Sequence, residues 1–290
     1  MKRALLVLIL VLAATARADN LSLSFLDVGQ GDAVLIRTPE GKVALVDAGP
    51  SSGILDILKR EGVEKVDVLI TSHHHADHIG GMVAVIKKFK PKLYVDSGSA
   101  HTTTTYKRVL QAVNDAGCQF AQPKKDSERK IVLGFVTLRL FPQPPEDEKQ
   151  ENNNSIGIRL EFGEFSVLLT GDSEKEERDW WRKNADGSLF RLVTVMKAAH
   201  HGSRNGTDLA WLNAAKPSLV VISCGKDNKY GHPHKETLEL LEEQKVPVKR
   251  TDVDGTIKVE SDGKTWNIRQ KETQKEGQTS LRRSPLQLAA

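Results

Sequence analysis

Cysteine is scarce in this chain: Cys118 and Cys224 are the two present among 290 residues. They lie far apart, and neither belongs to a Cys-x-x-Cys pair, so neither is assigned to a metal and spacing does not fix whether they pair. Aromatic residues make up 5% of the chain, too few to announce a platform for stacking nucleic-acid bases. Beyond residue 18 no apolar run approaches the roughly 18 residues that a membrane-crossing helix needs, which excludes a translocation channel built by that part of the chain. A strong charge bias is also missing. The formal net charge is +4, and Lys2, Arg3 and Arg17 fall in the first eighteen residues, so no basic groove for a polyanion is visible. No internal repeat occurs at a fixed period.

What is present fits a globular chain, 39% hydrophobic and 28% charged, long enough to bury a substantial core. Lys2 and Arg3, the apolar run Ala4 to Ala14, and Ala16-Arg17-Ala18 have the pattern of a signal peptide cut after Ala18. The alternatives are an uncleaved membrane anchor or the first strand of the core. The expected organisation is a signal peptide over 1–18, one domain over 19–269 and a loose polar tail over 270–290, in a secreted or periplasmic protein. Within the domain, strands are expected at Leu21 to Phe25, Ala33 to Arg37, Val43 to Val46 and Val66 to Ile70. Helices are expected at Ile54 to Arg60, Ile79 to Phe89 and Tyr106 to Ala116. Further on come a strand at Val132 to Leu140, a hairpin around Gly163, and strand–helix alternation from Leu192 to Glu243. A last hairpin turns at Ser261-Asp262-Gly263.

Eight of the nine histidines fall in three clusters. The first is Thr71-Ser72-His73-His74-His75-Ala76-Asp77-His78, directly after an apolar strand. Side chains two apart on extended chain point the same way, so His73 and His75 can grip one ion while Asp77 and His78 turn toward a second. Asp172 ends the apolar run Leu168-Leu169-Thr170-Gly171. It can bridge two ions at a sheet rim, or cap the helix that follows. His200 and His201 close a third apolar strand before Gly202-Ser203. His232 lies between Gly231 and Pro233, in a stiff turn suited to orienting substrate or donating a proton. His234 reads equally well as a cap or packing residue on the next helix, and His101 as a surface residue.

These motifs, in this order, resemble the metallo-β-lactamase superfamily. The opening Phe25-Leu26-Asp27-Val28-Gly29-Gln30-Gly31-Asp32-Ala33 and His200-His201-Gly202-Ser203 point to its ComEC-type branch of competence DNA-uptake proteins. The resemblance covers nearly all of Leu21 to Arg269 and implies an α/β fold, a four-layer αββα sandwich with its site at one edge. It implies that His73 and His75 hold one metal, and that Asp77, His78 and one of the 200/201 pair (His200 is favoured) hold another, with Asp172 bridging. Two divalent ions are expected, zinc first, with manganese or iron as alternatives. One departure stands out: many members supply a third histidine to the first metal, and this chain has none between His101 and His200. The loop there reads Asn152-Asn153-Asn154-Ser155.

The function expected is metal-assisted hydrolysis of a phosphodiester, DNA or RNA being candidate substrates. Asp77 would orient the nucleophilic water, and His201 or His232 would protonate the leaving oxygen. Asp27 and Asp32 read as supporting residues. A lactonase or β-lactamase type of hydrolase, or a non-catalytic accessory protein on the same scaffold, are the competing readings.

Overall fold

The computed structural model describes residues 20–269, so the expected signal peptide and tail lie outside the described residues. The chain opens with strands β1 (Leu21–Phe25), β2 (Val34–Arg37) and β3 (Val43–Val46). Helix α1 (Ile54–Arg60) leads to β4 (Val68–Ile70), and the short α2 (Ala76–Ile79) and α3 (Met82–Phe89) lead to β5 (Leu93–Val95). Helix α4 (Thr104–Asp115) then delivers β6 (Gln119–Ala121). Two hairpins follow: β7 (Arg129–Leu133) with β8 (Val136–Leu140), and β9 (Ile158–Phe162) with β10 (Phe165–Leu169). Next come α5 (Lys175–Asn184), β11 (Val195–Lys197), α6 (Leu209–Ala215), β12 (Leu219–Ile222) and α7 (Lys235–Glu243). Strand β13 (Val248–Arg250), α8 (Thr251–Asp254) and the hairpin β14 (Ile257–Ser261) with β15 (Trp266–Arg269) complete it.

The strands form two sheets, one ordered β15-β14-β1-β2-β3-β4-β5-β6 and the other β13-β12-β11-β10-β9-β8-β7. In each, an antiparallel half built from hairpins joins a parallel half built from helical crossovers: β3 to β6 in the first, β10 to β13 in the second. Parallel strands are covered on both faces, which explains their unbroken apolar runs. Alternate residues go to different layers. Ala44, Val46, Val68 and Ile70 face Leu138, Leu160, Val167 and Val221 between the sheets. Val43, Leu45 and Leu69 pack outward on α1, α3 and α4, and Leu168, Val220 and Ile222 pack outward with Trp181 of α5 and Trp211 of α6. The result is the αββα sandwich.

The helices are set by local chemistry. Thr103 caps α4 by accepting from the Tyr106 N–H at 3.3 Å, and Tyr106, Val109 and Val113 give it one buried stripe. Asp208 caps α6 in the same way through the Trp211 N–H at 2.8 Å.

Three expectations are corrected. The helix expected from Ile79 to Phe89 breaks at Gly80-Gly81, where the chain passes against the loop after β3. A Cβ on Gly80 would lie 2.0 Å from the Pro50 carbonyl oxygen, and one on Gly81 2.2 Å from that of Ala48. Val132 to Leu140 is not one strand but the β7–β8 hairpin, turning at Gly134 with φ +67. Strands β5, β6 and β13 were not expected. Each has three residues, too few for period-2 alternation to register.

Candidate metal centre

The carboxyl ends of the parallel strands all open on one edge of the sandwich, where open α/β sheets place their ligands. Asp47 follows β3, the His73–His78 segment follows β4, Asp172 follows β10, His200 and His201 follow β11, and Ser223 follows β12. Both sheets thus contribute, the first through β3 and β4 and the second through β10, β11 and β12. Gly31 makes room for the first histidine segment: its φ is +139, and a Cβ there would lie 2.2 Å from the Asp77 carbonyl oxygen. The next residue, Asp32, donates its N–H to that same oxygen at 3.2 Å. At His200 and His201 the backbone enters the left-handed region twice in succession (φ +50 and +53), a conformation costing about 1–2 kcal/mol per residue. Such strain persists where surrounding contacts enforce it.

The Asp172 carboxylate is the hub. Its Oδ1 lies 3.3 Å from His78 Nε2, and its Oδ2 lies 3.4 Å from His201 Nε2. His73 Nε2 and His200 Nε2 are each 3.9 Å from Oδ2. His73 Nε2 is also 3.0 Å from His75 Nδ1, and Asp77 Oδ2 lies 3.2 Å from His201 Nε2. Among the described residues, Asp32, His78, Asp172 and His201 offer ligand atoms all within 4.8 Å of one another. A cleft of about 290 Å3 opens over the group, lined by His75, Asp77, Asn152, Asp172, His200 and His232 among others.

Behind these side chains sits a supporting layer. Asp47 accepts from the Ser72 N–H at 2.7 Å and the Ser72 hydroxyl at 2.6 Å, and lies 2.8 Å from His78 Nδ1. His201 Nδ1 donates to the Ser223 carbonyl at 3.0 Å and is 3.3 Å from Asp32. Lys197, fully buried, holds Asp32 at 2.5 Å and donates to the Ala198 carbonyl at 3.1 Å.

This arrangement fits divalent metal. A carbonyl can only accept, so His201 carries its proton on Nδ1 and aims the Nε2 lone pair at Asp77 and Asp172. Asp47 fixes His78 in the same sense. Lone pairs and carboxylate oxygens then converge on one space, and His78 Nε2 and Asp172 Oδ1 are buried with no hydrogen-bond partner. Only a cation or protons can reconcile them. Burial opposes charge on His78 and His201, yet Asp172, with Asp47 on one ring and Asp32 on the other, pulls both pKa values well above the usual histidine value. Burial likewise opposes charge on Asp77, but the His201 hydrogen bond and the His78 charge lower it to about 2. Protons and metal therefore compete for the same gap.

All the residues singled out in the sequence as ligands border this space. Asp172 caps no helix: α5 begins at Lys175 after Glu174, and the Asp172 carboxylate turns into the centre. The two histidines of the 200/201 pair differ. His201 is buried between Asp77, Asp172 and Ser223, whereas His200 is 23% exposed and its Nδ1 faces Glu174 Oε1 at 3.4 Å. His232 lines the cleft, its pKa lowered to about 4 by burial and by the neighbouring His201, His200 and His234. His234 instead accepts from the Arg204 N–H at 3.0 Å. His74 turns away and lies 3.1 Å from Asp96 and 3.0 Å from Glu151. Sequence reasoning missed Asp47, Lys197 and Glu151. A lysine inside the apolar run Val195 to Ala199 was the available signal for one of them, since an unpaired lysine there would be prohibitive.

The pattern of the metallo-beta-lactamase superfamily matches residues 26–226. ComE operon protein 3 of Bacillus subtilis (strain 168) is 31% identical over 256 residues, covering 80% of this chain and 32% of that protein. Competence protein ComA of Neisseria gonorrhoeae is 28% identical over 236 residues, covering 80% and 31%. The chain therefore spans about a third of the length of these curated relatives. Among solved structures, the metallo-beta-lactamase fold protein YhfI of Bacillus subtilis superposes with a TM-score of 0.56 at 14% identity, covering 84% of this chain and 100% of that one. With strand ends that deliver histidines and aspartates to one edge of an αββα sandwich, and a family pattern running through them, the chain belongs to the metallo-β-lactamase superfamily.

Proposed function

We propose that this chain is an exported metal-dependent phosphodiesterase, with DNA or RNA as its first candidate substrates. The observation that supports it best is the Asp172 carboxylate ringed by the Nε2 atoms of His73, His78, His200 and His201 beneath an open cleft. His73, His75 and Asp172 would hold one divalent ion; Asp77, His78, Asp172 and the His200–His201 pair would hold the other. Bound there, divalent ions lower the pKa of water from 15.7 toward about 7 and offset charge on phosphoryl oxygens.

The chain's own groups supply orientation and proton handling. Asp77, ionised at any working pH, presents Oδ2 to the cleft floor and can orient an incoming water by accepting a hydrogen bond from it. Asp32 and Ser223 hold the His201 ring so that Nε2 cannot rotate away. His232, neutral at pH 7, orients a leaving oxygen by hydrogen bonding rather than storing a proton for it. The competence relatives support the phosphodiester substrate, and the signal-peptide pattern of residues 1–18 supports export. No described helix is long and apolar enough to cross a membrane.

Hydrolysis of bis(p-nitrophenyl) phosphate, followed before and after chelation, tests the reading. Turnover that disappears with chelator and returns with zinc or manganese is expected. Hydrolysis of a lactone or β-lactam with no action on any phosphodiester would overturn it.

A further inference from the structure

The turn Glu151–Asn154 buries three consecutive asparagines, 8%, 5% and 2% exposed. Buried amides need partners, and two of the three have them on both ends. Asn153 donates to Asp147 Oδ2 at 3.2 Å and accepts from the Glu174 N–H at 3.2 Å. Asn154 donates to the Asp147 carbonyl at 3.0 Å and accepts from the Asp147 N–H at 2.8 Å. These two fold the loop. Asn152 is different: its Nδ2 donates to Glu174 Oε1 at 2.9 Å, but its Oδ1 is buried with no donor.

The amide's orientation is decided by chemistry. Flipping it would set Oδ1 against the Glu174 carboxylate, so the oxygen must be the atom left over. Asn152 lines the same cleft as His75, Asp77 and Asp172. The turn is bolted to the first histidine segment on both sides. Glu151 accepts from the His74 N–H at 2.9 Å, and Ile156 donates its N–H to the Ser72 carbonyl at 2.9 Å. Asn152 is tied to the hub as well, because Ser155 Oγ donates to the Asn152 carbonyl at 2.8 Å and accepts from the Asp172 N–H at 3.1 Å. His201, in contrast, has Asp77, Asp32 and Ser223 for neighbours.

We propose that Asn152 supplies, through Oδ1, an oxygen ligand to the divalent ion on the His73–His75 arm of the centre. The inference rests on the metal-centre reading above. Two imidazoles, a carboxylate and an amide oxygen make a harder donor set than three imidazoles would, and they favour manganese or iron(II) relative to zinc at that position.

Manganese titration of the full chain, read from the electron paramagnetic resonance of free Mn2+, tests this without using activity. The wild type is expected to fill two sites. Asn152→Ala should weaken one of them about tenfold or more and leave the other in place, whereas Asn152→Asp should keep both. Asn152→His should tighten Zn2+ binding in competition with a chromophoric chelator, and this variant decides the matter if the alanine form does not fold. An Asn152→Ala titration superimposable on wild type, or no gain of zinc affinity in Asn152→His, would overturn the assignment while leaving the two-ion centre standing. Fewer than two sites in the wild type would remove the two-ion reading, and the assignment with it.

Discussion

Which ring nitrogen carries the proton decides what His78 and His201 can do. The Asp47 carboxylate and the Ser223 carbonyl settle it for them, so removing the Asp47 carboxylate should act through His78, the ligand it orients. Asp77→Asn should cut turnover about 10²–10⁴-fold with the unfolding midpoint little changed, as circular dichroism melts and steady-state rates would show. Retained turnover would remove Asp77 from the mechanism. His74 makes a different prediction. Burial opposes its charge, but the hydrogen bonds of Asp96 and Glu151 raise its pKa from 6.5 to about 9. The folded value lies above the unfolded one, so the stabilisation is complete below about pH 6.5 and is lost as pH rises through about 9. Its size is about 3 kcal/mol at most. In urea unfolding, His74→Gln should trail wild type clearly at pH 6 and the gap should close by pH 9.5; a gap constant with pH would contradict the ion-pair account. The histidines and Asp172 were legible in the sequence because metal chemistry admits few residue types. Asp47 and Lys197 were not: Asp47 meets His78 only once β3 has paired with β4, and Lys197 meets Asp32 only when the two sheets come together.

Among the elements, the loops after β1, β3 and β4 are packed backbone against backbone. Gly31 is where the opening motif touches Asp77, so Gly31→Ala should lower metal affinity as well as stability. Gly80→Ala, which drives a Cβ into the Pro50 carbonyl, should lower stability by about 1–3 kcal/mol with metal affinity of the folded protein near that of wild type. Denaturant melts paired with metal titration separate the two; an unchanged metal affinity in folded Gly31→Ala would argue against a positioning role. The longer strands and most of α4 could be read from their periods, because apolar alternation and helical spacing act locally. The break between α2 and α3 could not, since Gly80 and Gly81 are fixed by chain that lies about thirty residues earlier. Strand β6, largely exposed at a sheet edge, offers only Phe120 and Ala121 as apolar residues, too short a stretch to show a period.

For the whole molecule, a metal ion bound at this cluster would also be a cross-link. Asp47 and the His73–His78 segment come from one sheet, Asp172, His200 and His201 from the other. An ion held between them stabilises the native state by mass action, about 2.7 kcal/mol when free metal is a hundred times its Kd. For a domain of this size each kcal/mol moves Tm by about 2–4 °C, so chelation should lower it by several degrees. The αββα architecture was legible because each motif follows an apolar strand and the family resemblance orders them. Which sheet each strand joins depends on pairings across more than two hundred residues, such as β1 with β14. The most direct test is elemental analysis of the purified chain with phosphodiester turnover measured on the same preparation. Two divalent ions per chain, with activity lost on chelation and restored by zinc or manganese, is the predicted result. No bound metal, and no turnover after either is supplied, would contradict the account.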